Sequence, residues 1–193
     1  MDSLELLYNH YKETMQLMQG AKVERDKYFL ILCLLIALLF LLGIEPTGTA
    51  SFIEAWLASV TGGSFSFGFN IIQSAVWLVL LFYTLKYYQR NIYVERQYAY
   101  LDKLERNISR LTNVIFNREG EEYSENYPCV LTMIDFFYKK FFPILYFAIV
   151  FYKIYLEVII GHTFINCILA IPILVLTLAY FLFINNLFNG SYH

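Results

Sequence analysis

Four long apolar runs, separated by polar stretches of very unequal length, set the pattern of this chain: residues 28–44, 67–85, 141–161 and 163–187. Each is long enough for one membrane-crossing helix. The shortest, 17 residues, reaches about 26 Å at about 1.5 Å per residue, near the thickness of a hydrocarbon core of about 30 Å. Ahead of the first run, Leu4, Tyr8, Tyr11, Met15 and Met18 recur at three- and four-residue spacing among charged positions. That spacing predicts an amphipathic helix over 1–27, packed on another helix or lying on a membrane surface. Glu45-Pro46-Thr47-Gly48 predicts the end of the first span. Within the loop 45–66, Ser51 to Val60 reads as a short helix, with Phe52, Ile53, Trp56 and Leu57 on one side and Glu54 on the other. Gly62 and Gly63 then break the chain.

No Pro or Gly stands between Asn70 and Asn117. The second span is therefore expected to continue as one helical rod, about 70 Å long by rise alone. Its polar half carries a seven-residue seam. Val94, Leu101, Ile108 and Ile115 repeat each heptad, and Gln97, Leu104 and Leu111 fall three positions later. This a/d pattern fits a helix packed on the N-terminal helix of the same chain. It fits equally a coiled coil between copies. Asn117 to Tyr127 is polar and acidic, with Gly120 as a break and Pro128 as a stop. Val130 to Lys140 is short and amphipathic, ending in Lys139-Lys140, and reads as an elbow on the inner membrane surface. Pro143 is expected in the first turn of the third span, where a missing N–H costs little. Pro172 is a kink candidate in the fourth span, and 188–193 form a short tail.

Composition and charge sharpen this reading. Hydrophobic content is 59% and charged content 16%, against about 45–50% and about 25% for soluble domains. Of the 14 Lys and Arg, four precede the first span, nine lie from Lys86 to Lys140, and the last is Lys153 inside the third span. Neither outer loop has any. The positive-inside rule then predicts an all-α, four-span membrane protein with N-in/C-in topology and a helical cytosolic module over 86–140. The net charge of −2 gives no reason to expect nucleic acid as a bulk partner. No cleavable signal peptide is expected, because mostly polar residues precede the first apolar run. The three cysteines form no CxxC or Cys/His cluster, so neither a disulfide framework nor a metal site is expected. Asn-x-Ser sequons at Asn107 and Asn189 fall on the cytosolic side in this topology.

Several residues are candidates for function. Lys153 and Glu157 stand four residues apart within the third span. They are read as a mutually paired outer-leaflet couple or as a charged lining of a water-filled passage. On the second span, Asn70, Gln73, Ser74, Trp77 and Thr84 form a polar stripe, which suits a pore lining or inter-helix hydrogen bonds. Asn166, Ala170 and Thr177 make a weaker stripe on the fourth. Arg90, Arg96, Arg106 and Arg110 interleave with acids along the rod. They are read as a solvated face, or in a symmetric oligomer as rings that hold a nucleotide or oligonucleotide, with Tyr93, Tyr98 and Tyr100 as stacking surfaces. No GxSxG, P-loop, GxGxxG or HExxH is present, and no His neighbours a plausible nucleophile. The chain is not expected to be an enzyme or to need a cofactor.

The layout of helical N-terminus, four spans and a long middle helix growing out of the second span resembles the small tetraspan subunits of bacterial anti-phage operons. The Hailong-type effector is the nearer likeness and the Kiwa-type membrane subunit the second. The stretch Arg118 to Pro128 (REGEEYSENYP) looks like a family fingerprint. The resemblance implies a homo-oligomer of the bacterial inner membrane, with a tetramer favoured, held shut or triggered by a cytosolic partner or nucleotide signal. The expected function is thus a gated ion-conducting pore in abortive anti-phage defence. The alternative is a membrane-anchored sensor or scaffold that docks a soluble partner without forming a pore.

Overall fold

A computed structural model describes residues 3–63, 68–114, 116, 129–160 and 164–190. Among them every regular element is helical: α1 (Ser3–Ile44), α2 (Pro46–Thr61), α3 (Phe69–Thr112), α4 (Cys129–Phe136), a π-turn (Phe137–Phe141), α5 (Phe142–Ile160) and α6 (Phe164–Gly190). Four helical stretches are long and apolar enough to cross a membrane: Leu4–Ile44, Phe69–Thr112, Met133–Ile159 and Ile165–Ile184. The Arg118 to Pro128 stretch, Ile115 and His162 lie outside the described residues.

The N-terminal amphipathic segment and the first span are one helix, α1. The change from polar to apolar near Tyr28 alters what the helix faces without interrupting its backbone hydrogen bonds. α1 ends at Ile44, directly before Glu45 to Gly48, and α2 begins at Pro46 and contains the short helix expected from Ser51 to Val60. Pro46 occupies its first turn, where a missing N–H is no loss, and Thr49 N–H bonds back to Glu45 O at 3.1 Å. Gly62, at φ 70°, caps α2 with its N–H on Ala58 O. That left-handed conformation is one glycine adopts without a Cβ clash.

The chain divides into two compact units, one of 1–27 with 87–142 and the other of 28–86 with 143–193. The first, polar unit pairs α1 with α3. Arg90 meets Glu24 and Tyr11 meets Glu105, so the two helices run antiparallel. Its core joins Tyr11, Met15 and Met18 to Leu101, Leu104 and Ile108. Fully burying each such side chain contributes about 1.5–3 kcal/mol. Tyr11 OH donates to Glu105 Oε1 at 2.8 Å, which lets a carboxylate stay buried in this seam.

The π-turn of this unit has a local cause. Phe142 N–H reaches back five residues to Phe137 O. The next bond in that register would start at position 143, but proline has no N–H to give. The carbonyl of Tyr138, which would take that bond, accepts from the hydroxyl of Tyr87 at 2.8 Å. Pro143 is the second residue of α5 and so sits in its first turn, as its sequence context suggests. The π-turn runs directly into α5 at Phe142, and a tyrosine supplies the missing donor.

In the second, apolar unit the buried positions include Leu32, Leu39 and Leu42 of α1, Ile72, Val76, Trp77 and Leu80 of α3, Tyr146 and Val150 of α5, and Ile173, Tyr180 and Ile184 of α6. Phe52, Trp56 and Val60 of α2 are exposed. Polar side chains are few here, and nearly all of those buried fall at helix contacts.

Candidate functional site

Two buried side chains of α3, Gln73 and Trp77, converge on one carboxylate of α5. Glu157 of α5 is 2% exposed and Gln73 of α3 is 1% exposed. Gln73 Nε2 donates to Glu157 Oε1 at 2.5 Å, and Trp77 Nε1 donates to the same oxygen at 3.2 Å. Gln73 and Trp77 stand four apart on α3 and so share a face. One turn of helix thus presents two N–H donors to a single acceptor. Beside them, Ser74 donates to Asn166 Oδ1 of α6 at 2.7 Å. Further along α3, Thr84 donates to Leu80 O at 2.7 Å, and its oxygen meets the Tyr146 hydroxyl of α5 at 2.6 Å. Threonine has one proton, so Tyr146 is the donor to Thr84.

The second-span stripe is thereby divided. Gln73, Ser74, Trp77 and Thr84 bind α5 and α6 of the same chain, whereas Asn70 is exposed. On α6, Thr177 bonds its own helix at Ile173 O and Ala170 is buried. Lys153 and Glu157, expected as partners, form no ion pair among the described residues. Glu157 is turned toward α3. Lys153 lies against the last turn of α1, where a Cβ added at Gly43 would stand 2.9 Å from its Nζ. That places a cation beside the negative end of a helix dipole. The Gln73–Trp77–Glu157 cluster was visible in sequence as two separate candidates. What joined them was the pairing of α3 with α5, which no spacing within either helix encodes.

The polar unit holds a second buried charge cluster. Lys139, in the π-turn, is 8% exposed. Its Nζ lies 2.8 Å from Glu95 Oε1 and 2.5 Å from Asp135 Oδ2. Burial pushes the Glu95 carboxyl up from its ordinary value, an effect that Lys139 only partly offsets. Burial acts to lower the Lys139 pKa, but Glu95 and Asp135 together outweigh it and hold the ammonium above its ordinary range. Tyr138 stacks its ring under Arg25 at 4.8 Å. The sequence presents Lys139 only as one of a basic pair at a membrane edge; the acids that pair with it come from α4 and α3.

The remaining candidates separate by exposure. Arg90 pairs with Glu24 at 2.6 Å and Arg106 with Asp102 at 2.8 Å, while Arg96 and Arg110 are exposed. Of the stacking candidates, Tyr98 lies under Lys22 at 4.9 Å and Tyr100 meets His10 at 2.8 Å. Of the heptad seam, Val94, Leu101, Leu104 and Ile108 are buried, the last three against α1 of the same chain. Leu111 is 60% exposed. Among the described residues no group of three or more His, Cys, Asp or Glu could hold a metal ion.

Compared with models of protein families, with curated proteins and with solved structures, the chain matches none.

Proposed function

We propose that this chain is a bacterial inner-membrane effector with both termini and the polar unit in the cytoplasm, whose copies assemble to pass ions when a cytosolic signal is present. The layout resembling anti-phage tetraspan subunits supports a role in defence, and the Lys and Arg distribution supports the orientation. The observation that carries the conduction reading is Glu157. A carboxylate at membrane depth is costly, and such residues usually mark ion or proton pathways. This one is buried where α5 meets α3, with one oxygen held by donors from α3.

In this reading the polar centre lies inside each protomer, between α3, α5 and α6. One helix, α3, carries Gln73 and Trp77 at one end and Arg90, Glu95 and Arg96 further along. A signal bound by the exposed arginines, a nucleotide or a soluble partner, shifts a closed-to-open equilibrium by binding the open form more tightly. Copies associate through their membrane-facing sides, since the heptad seam from Leu101 to Ile108 is filled within the chain.

Planar-bilayer recording of the purified protein tests this. Discrete openings whose conductance changes in Glu157→Gln and Gln73→Leu are expected. A protein silent under all cytosolic ligands would favour the second reading, a membrane-anchored sensor that docks a soluble partner. The exposed Leu6, Leu17 and Val23 of α1 support that reading, because apolar side chains exposed on a polar unit suit a protein partner. A reporter enzyme fused after His193 checks the orientation, and periplasmic activity there would contradict it.

A further inference from the structure

Phe52, Trp56 and Val60 of α2 are 71%, 58% and 66% exposed. At four-residue spacing they form one stripe along the helix. The other sides of α2 differ from it. Ala50 is buried and Ile53 and Leu57 are half-buried, so that side is turned to the protein. Thr47 and Ser51 are exposed on a third side, and Ser59 borders the stripe with its hydroxyl bonded to Trp56 O at 2.6 Å. A helix with one side for protein, one polar and one apolar suits the boundary of a bilayer.

The place of α2 in the chain fits the same boundary. α1 is apolar enough to cross a membrane and ends at Ile44, and only Glu45 separates it from α2. The Glu45 backbone, at φ −133° and ψ 76°, is not helical. The chain turns aside there. Thr49 Oγ1 reaches Leu41 O at 3.3 Å, whereas residues eight apart on a straight helix are separated by about 12 Å along its axis. α2 therefore starts where the apolar part of α1 stops and does not run on along its axis. An indole is favoured at that level, with its ring among acyl chains and its N–H among polar groups. Charge narrows the lipid. No Lys or Arg stands from 45 to 66, and the charges there are Glu45 and Glu54. Nothing in the segment attracts an anionic headgroup.

We infer that α2 lies in the membrane interface, with Phe52, Trp56 and Val60 inserted among neutral lipids by apolar burial alone. A second copy of the chain is a poorer occupant, because a stable protein interface takes about 800 Å² from each partner and three side chains alone fall short of it. The inference needs α1 to cross a membrane. It does not need the protein to conduct, and it holds on whichever side that end of α1 emerges.

Trp56 reports its own surroundings. The chain has two tryptophans, and the other, Trp77, is fully buried. Subtracting the emission of Trp56→Phe from that of the unmutated protein leaves Trp56. The full chain is reconstituted into phosphatidylcholine vesicles brominated either near the glycerol or near the chain ends, with iodide on both sides as the aqueous quencher. Trp56 should be shielded from iodide and quenched more by bromine near the glycerol. Phe52→Ser with Val60→Ser should raise its iodide quenching several-fold. Replacing part of the lipid by phosphatidylglycerol should not strengthen the shielding. Iodide quenching equal to that of free tryptophan amide puts the stripe in water and overturns the inference. Stronger quenching by bromine at the chain ends overturns it too, as does shielding that grows with phosphatidylglycerol. Shielding from bromine and iodide alike means that protein covers Trp56, a second copy included, and also overturns it. A protein with the expected Trp56 pattern that never conducts refutes the conduction reading and keeps α2 in the interface; a conducting protein with Trp56 open to iodide does the reverse.

Discussion

Gln73 and Glu157, 84 positions apart, are joined by a 2.5 Å hydrogen bond in the buried interior of the apolar unit. The bond ties α3 to α5 and leaves the second carboxylate oxygen unpaired. Hydrogen bonds between membrane helices average well under 2 kcal/mol. This one should be worth more, because its loss strips a buried carboxylate of one of its two donors. Gln73→Leu is expected to destabilise the protein by about 2 kcal/mol in reversible unfolding from mixed micelles. The double variant Gln73→Leu/Glu157→Leu should cost less than the sum of the singles, since it removes the stranded acid as well. Additive costs would mean that the two residues do not depend on each other.

The ion cluster of the polar unit predicts a pH dependence. Lys139 has a pKa raised above its ordinary 10.5 by Glu95 and Asp135, against the opposing effect of burial. Its contribution to stability is therefore complete below pH 10.5 and lost as pH rises through the folded value. Glu95 is raised above its ordinary 4.5, chiefly by burial. The folded state holds that proton more tightly than the unfolded one, so this residue adds stability as pH falls toward 4.5. Lys139→Met should cost about 3 kcal/mol near neutral pH and abolish the alkaline loss. Glu95→Gln should fall behind the wild type progressively as pH is lowered. Unfolding midpoints across pH 4 to 11, on the order of half a pH unit apart, give both slopes.

Tyr87 and Pro143 should be coupled through a carbonyl that neither carries. Tyr87→Phe removes the donor to Tyr138 O and is expected to cost about 1–2 kcal/mol. In a Pro143→Ala background the same change should cost much less, because the alanine N–H can take over that carbonyl or restore regular helix. Equal costs in both backgrounds would show that the π-turn has another cause.

The seam of α3 gives a packing prediction. Leu101→Ala removes a fully buried side chain facing Met15 and Met18 and should destabilise the polar unit by about 2–4 kcal/mol. Leu111→Ala, at an exposed position of the same heptad pattern, should cost less than about 0.5 kcal/mol. Limited proteolysis of α1 should accelerate in the first variant alone. A penalty at Leu111 equal to that at Leu101 would show that the whole seam meets a partner.

Much of the helical layout was legible in the chain. Apolar runs of 17 or more residues can be satisfied only by helices, so the four membrane-competent helices followed from length and hydropathy. The absence of Pro and Gly from Asn70 to Asn117 likewise implied the single helix α3. Boundaries were less legible. The start of α2 at Pro46 and the π-turn before Pro143 depend on which neighbours satisfy a few backbone groups. Local composition does not record that.

The sequence by itself determined which segments are helical, which of them are apolar enough to leave water, and which residues are too polar to be mere filling. Periodicity and hydropathy are properties of one helix at a time, and they need no partner to be read. Only the tertiary structure decided who meets whom: Glu157 with Gln73 and Trp77 in place of Lys153, Lys139 with Glu95 and Asp135, and the α3 seam with α1 of its own chain. Those choices are set by the pairing and register of helices far apart in sequence. A turn of rotation in either helix would change the partner while leaving every local pattern intact.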